Sequence, residues 1–180
     1  MTTTSTLLPP PDPGFASCGC AHVAVYGTLR AGGINDIRRL APDIALLGHT
    51  RLHGRLYDLG WYPGLVLDEA APPVLAEVYA LHPALEQALD GIEGLWPTDL
   101  GEYAKRILTT AVQPPDEPGS GAARTLPVLV YEARPALVQN APALGSGDWL
   151  AWYAHTGRGA PARFALNTHA SAHTNTHTGA

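Results

Sequence analysis

The chain has 180 residues, 46% of them hydrophobic, and 11 lysines and arginines against 16 acidic residues give it a formal charge of -5. That suits one compact domain with a proper core, and it offers no basic field for a phosphate backbone, which argues against nucleic acid as a partner. No apolar run approaches the roughly 20 residues of a membrane-spanning helix, and the start MTTTSTLLPPPDPG lacks the charged flank and apolar stretch of a secretory signal, so no membrane contact and a cytoplasmic location are expected.

In chain order, residues 1–20 form a Pro/Thr-rich leader whose composition cannot offset the entropy of ordering it, and it is expected to be disordered. Cys18 and Cys20 close it. A structural zinc wants four ligands and no second cysteine pair exists, so they read as reduced thiols. A domain over 21–157 follows. HVAVY, from His22, predicts a strand; GGINDIRRLA, from Gly32, predicts a helix; RLHGRLYDLG alternates Leu52, Gly54 and Leu56 against His53, Arg55 and Tyr57, as a strand does before a turn at Gly60. Asp58 is expected to shape that turn. YPGLVLD and VLAEVYAL are further strands, and Glu77 in the latter is expected to pair with Arg55 or a backbone group. EYAKRILTTAV and LPVLVYEA are the last two, separated by the Pro/Gly-rich loop from Pro114 to Thr125. SGDWLAWYAHTG predicts a closing helix. The tail, 158–180, is expected to be disordered; His169, His173 and His177 recur every fourth residue there, but among poor helix formers, which disfavours a metal site. Strands outnumber helices without the alternation of a doubly wound sheet, so the fold class is α+β: a small, mixed, curved and barrel-like sheet of about six or more strands flanked by a few helices.

The helix within HPALEQALDGIEG carries the most chemistry. Pro83 suits a first helical position, Leu85, Leu89 and Ile92 make one buried face, and Gly94 ends it. Asp90 and Glu86 turn progressively away from that face, whereas Glu93 lies at its margin in the last turn. Partial burial and the helix dipole both raise a carboxyl pKa there, which is what a proton-transfer group needs near neutrality.

VYGTLR at Val25 to Arg30, GRLYDLGWYPGLV from Gly54, AEVYAL from Ala76, LDGIEG from Leu89 and EYAKR from Glu102 together resemble the γ-glutamylcyclotransferase-like family, which includes AIG2-like, γ-glutamylamine cyclotransferase and BtrG-type proteins. SGDW at Ser146 looks like the family's closing helix. The resemblance implies a barrel-like sheet with a pocket at its mouth, and a reaction in which the α-amine of a γ-glutamyl group attacks its own γ-carbonyl, yielding 5-oxoproline and an amine or amino acid. It implies Glu93 as the catalytic acid/base, Tyr26, Gly27, Thr28, Leu29 and Tyr103 against a small-molecule γ-glutamyl substrate, and no metal or organic cofactor. Ala76, Lys105 and Asp36 depart from the family's usual glycine, arginine and histidine, which bears on substrate preference.

Each element also has a plainer reading. A strand, a glycine and a capping threonine are common structural grammar, Tyr103 suits a buried tyrosine with a satisfied hydroxyl, and the whole pocket suits a non-catalytic binding domain for a carboxylated small molecule. A hydrolase is the third reading, without a Ser-His-Asp or Cys-His arrangement to carry it.

Overall fold

The computed structural model describes residues 8–115 and 122–159. The strands β1 (His22–Val25), β2 (Leu46–Asp58), β3 (Pro63–Leu67), β4 (Pro73–Ala80), β5 (Tyr103–Val112) and β6 (Arg124–Ala133) form one sheet in the order β3-β2-β4-β1-β6-β5. Only β1 and β6 run parallel among these pairs; the others are antiparallel. The sheet curls until the start of β2 meets the end of β5, where His49 and Gln113 exchange backbone hydrogen bonds of 2.8 Å. Gly48 sits at that seam because any Cβ would lie 2.1 Å from the Gln113 carbonyl oxygen. The curled six-stranded sheet with three short helices is the α+β architecture that the strand count predicts.

Alternation along the strands feeds two apolar clusters. Val23 and Val25 of β1 join Leu129 and Tyr131 of β6 on the face covered by α1 (Pro83–Ile92), through Leu85 and Leu89. Ala24 and Tyr26 face the other way, into the barrel interior with Leu52, Leu56, Leu65 and Trp149. Trp149 opens α3 (Trp149–His155), capped by the Asp148 side chain on Ala151 N–H. A four-residue helix, α2 (Pro135–Val138), follows β6.

Several expectations are corrected. Gly32 to Ala41 is not a helix but a loop holding one 3-10 turn over Ile37–Arg39. The Asn35 and Ile37 N–H groups are committed to the Thr28 and Leu29 carbonyls, which ties the segment back onto the loop after β1. Glu86 and Asp90 are not turned to solvent but buried, 0% and 3% exposed. What covers Glu86 is the leader: Ser17 Oγ donates to Oε2 at 2.5 Å and Cys18 N–H to Oε1 at 2.8 Å, while Phe15 meets Trp96 edge-on. From Leu8 onward the leader is therefore laid on the domain, against the expectation of disorder, because a buried carboxylate requires donors that only this segment supplies along with Lys105.

Glu77 does not pair with Arg55, but it does take a backbone group, the other expected partner. Arg55 reaches Asp68 instead. Glu77 takes the Ala31 N–H and the Tyr79 hydroxyl, both at 2.8 Å, and Arg30 Nε stands 3.4 Å away. Arg30 is itself 7% exposed and donates to Asp148 at 2.7 Å, so one guanidinium joins the loop after β1 to β4 and to the start of α3. Removing one partner of such a buried network leaves an uncompensated charge. Arg30→Ala is expected to lower the unfolding free energy by about 3–5 kcal/mol in urea titrations; a loss within experimental error would mean that the network holds nothing in place.

Candidate active site

The end of β1 delivers Tyr26, and the chain then turns through Gly27, Thr28 and Leu29. Gly27 is required by close approach, since a Cβ there would lie 2.7 Å from Pro63 Cγ. The carbonyls of Gly27, Thr28 and Leu29 are taken by the N–H groups of Arg30, Asn35 and Ile37. Their own N–H groups meet no acceptor among the described residues. Asn35 braces the loop by donating to Thr28 Oγ1 at 3.3 Å. Asp36 takes the Gly32 and Arg38 N–H groups, and the Arg38 guanidinium on it holds its carboxyl down at about 2.

Across the core, α1 ends at Glu93, whose N–H closes the last turn on the Leu89 carbonyl; Gly94 follows with φ +67°, the left-handed conformation that terminates helices. Glu93 is half-buried, and no donor among the described residues bonds its carboxylate. Although part of the residue reaches the surface, its surroundings are densely packed: desolvation, with the charges of Asp90 and Glu102 beside it, pushes the carboxyl up to about 8. The direction agrees with the sequence argument, but the neighbouring acids add to burial.

Four tyrosines feel that carboxylate: Tyr26, Tyr62, Tyr103 and Tyr131. Burial above all raises each of them, so they remain neutral hydroxyls across the physiological range. Three are already engaged. Tyr26 donates to the Tyr131 carbonyl at 2.8 Å and accepts from Leu65 N–H; Tyr103 donates to the Pro63 carbonyl at 3.1 Å; Tyr131 donates to Asp90 at 2.7 Å. Tyr103 thus lines the surroundings of Glu93 without spending its hydroxyl on it.

The structure accordingly brings Tyr26, Tyr103 and Glu93 together. Gly27 joins them through Pro63, and Leu29 shares the apolar cluster with Leu89 of α1. Thr28 lies half-buried between. Asp90, Glu102 and Tyr131 complete the surroundings and were not singled out by sequence reasoning; the spacing of three residues between Asp90 and Glu93 was the available signal. No group of three or more potential ligands could hold a metal among the described residues, and His169, His173 and His177 lie outside them. No helix is long and apolar enough to cross a membrane.

A family model described as gamma-glutamyl cyclotransferase, AIG2-like, matches residues 23–151. The chain belongs to that family. The span includes every site residue named above. Among solved structures, an AIG2-like protein from Mus musculus is 24% identical with a TM-score of 0.52, covering 71% of this chain and 87% of its own. A protein specific to uropathogenic Escherichia coli is 23% identical with a TM-score of 0.51, covering 75% and 96%. YkqA from Bacillus subtilis is 21% identical with a TM-score of 0.53, covering 76% of this chain and 42% of its own. These likenesses show the AIG2-like fold. No curated protein matches the sequence. Family and fold support a γ-glutamyl cyclotransferase-like activity on a small molecule.

The raised acid carries a stability signature. Folded, Glu93 keeps its proton up to about pH 8, while the unfolded chain releases it near 4.5. Between those values the folded state holds more protons, so stability falls as pH rises through the window. Glu93→Gln removes this titration. Its Tm is expected to match wild type near pH 4.5 and to exceed it increasingly up to about pH 8; parallel Tm curves across that range would contradict a desolvated Glu93.

Proposed function

We propose that the protein cyclises a γ-glutamyl group to 5-oxoproline and releases an amine or amino acid, with Glu93 moving the protons. The observation that carries this reading is a carboxyl with no donor among the described residues, raised to about 8 and acting on Tyr26, from which the chain turns into Gly27, Thr28 and Leu29, whose N–H groups meet no acceptor among the described residues.

The reaction is intramolecular, so a pocket that holds the substrate folded removes an entropic barrier that reaches about 7–11 kcal/mol. The α-nitrogen lone pair forms the bond to the γ-carbon, the carbonyl oxygen becomes an oxyanion, and its collapse breaks the bond to the leaving nitrogen. Two protons leave the attacking nitrogen, and the departing amine receives two to leave as an ammonium. One carboxyl, alternating between its ionised and protonated forms, carries each in turn. A value near 8 suits both halves of that cycle, since neither form is rare at neutral to mildly alkaline pH. The free N–H groups serve the substrate's carboxylate or the developing oxyanion. In this reading Tyr26 and Tyr103 stand against the substrate as neutral hydroxyls.

A panel of γ-glutamyl amines and γ-glutamyl amino acids tests the reading, with 5-oxoproline as product. Wild-type kcat/KM is expected to rise with pH towards about 8 as Glu93 ionises, and Glu93→Gln to lose about 10²–10⁴-fold with binding largely kept. Free glutamate as the product would mean hydrolysis. Binding without turnover would mean a carboxylate-binding domain, and normal turnover by the Gln variant would remove Glu93 from the chemistry.

A further inference from the structure

Asp90 has no part in the steps above, yet it is the most firmly held group beside Glu93. It stands three residues earlier on α1, so the two occupy neighbouring positions across the last turn. Both of its carboxylate oxygens are fixed: Tyr131 donates to Oδ1 at 2.7 Å and Lys105 Nζ lies 2.5 Å from Oδ2. Its backbone carbonyl takes the N–H groups of Leu95 and Trp96, which bends the chain around Glu93. Lys105 also meets Glu86 at 2.6 Å, and Ser17 and Cys18 of the leader fix Glu86 from the other side. A clamped acid is thereby set three residues from a carboxyl that has no donor among the described residues.

We propose that Asp90 is a positioning residue for Glu93: anchored between Lys105 and Tyr131, its negative charge governs when the Glu93 carboxyl holds and releases a proton. This rests on the reading of Glu93 as the proton-transfer group. The groups that face Glu93 are Tyr26 after β1, Tyr62 before β3, Asp90 on α1, Glu102 before β5, Tyr103 in β5 and Tyr131 in β6. The tyrosines are neutral, which leaves Asp90 and Glu102 as the acids acting on Glu93; the one Lys105 ammonium against Asp90 is shared with Glu86, so those two acids and the lysine together keep a net negative charge. Asp90 is 3% exposed, whereas Glu102 is half-exposed and its charge is screened by solvent. Asp90 also acts through the buried side of the helix, where the dielectric is lower. The leader enters the same arrangement: by satisfying Glu86, it frees one Lys105 ammonium to serve both acids.

Asp90→Asn keeps the size of the side chain and leaves Lys105 paired with Glu86. In γ-glutamyl turnover its pH–rate midpoint is expected to fall by about one pH unit below that of wild type, raising the ratio of rates at pH 6 and pH 9 about tenfold. A residue that merely packs would lower the rate evenly at every pH, and an unmoved midpoint overturns the proposal. A second readout needs no substrate: the Tm gained on Glu93→Gln at pH 9 is expected to shrink in the Asp90→Asn background, while at pH 5 the two backgrounds agree. Equal gains in both backgrounds at pH 9 overturn the proposal. Asp90→Ser, also uncharged, repeats both measurements where Asn packs poorly. If Glu93→Gln alone turns over at the wild-type rate, the reading of Glu93 as base fails, while the stability comparison still decides whether Asp90 governs its proton.

Discussion

Three acids on one short helix meet three different fates, and that contrast organises the molecule. Glu86 is fully buried and satisfied by Lys105, Ser17 and the Cys18 N–H. Asp90 is buried and satisfied by Lys105 and Tyr131. Glu93 is crowded by the same core and has no donor among the described residues, so its ionised form alone carries a cost that nothing nearby offsets. A fold that supplies donors to two of its buried acids and withholds them from the third stores that cost at one atom group, where proton transfer can use it.

The sheet brings the end of β1, at Tyr26, within the influence of Glu93 at the end of α1. β1 is central, antiparallel to β4 and parallel to β6, and buried on both faces, so the loop that leaves it emerges from the middle of the sheet rather than at an edge, with Leu29 in the apolar cluster that Leu85 and Leu89 of α1 also join. Arg30 then pins the loop to Glu77 of β4 and to Asp148 before α3, and Gly27 lets it lie against Pro63 at the start of β3. The outcome is backbone whose carbonyls are used internally and whose N–H groups at Gly27, Thr28 and Leu29 meet no acceptor among the described residues. That asymmetry is what an anion-binding loop requires.

How much of this was legible in the sequence follows the range of the interactions. Leu85, Leu89 and Ile92 marked the buried face of α1, and the period-2 pattern of Leu52, Gly54 and Leu56 marked β2, because each pattern repeats within a few residues. The Glu93 environment was legible in direction from helical spacing alone. The start of β2 at Leu46 was not, since the register shift between Leu46 and Gly48 breaks the alternation. Burial of Glu86 and Asp90 could not be read either: their partners lie 69 and 41 residues away at Ser17 and Tyr131, and local spacing on α1 turns both acids outward. The same distance hid the Arg30–Glu77 pair behind the nearer arginine, Arg55, and the loop contacts that replace the expected helix at Gly32.

The central claim is that Glu93 is a carboxyl with no donor among the described residues, in surroundings that desolvate it. Carbon-13 NMR of the protein labelled at glutamate side-chain carboxyls, with Glu93 assigned by its loss in Glu93→Gln, measures this directly. The account predicts a resonance that titrates with a midpoint near 8. A Glu93 resonance that titrates near 4.5, as an ordinary solvated glutamate does, would contradict it.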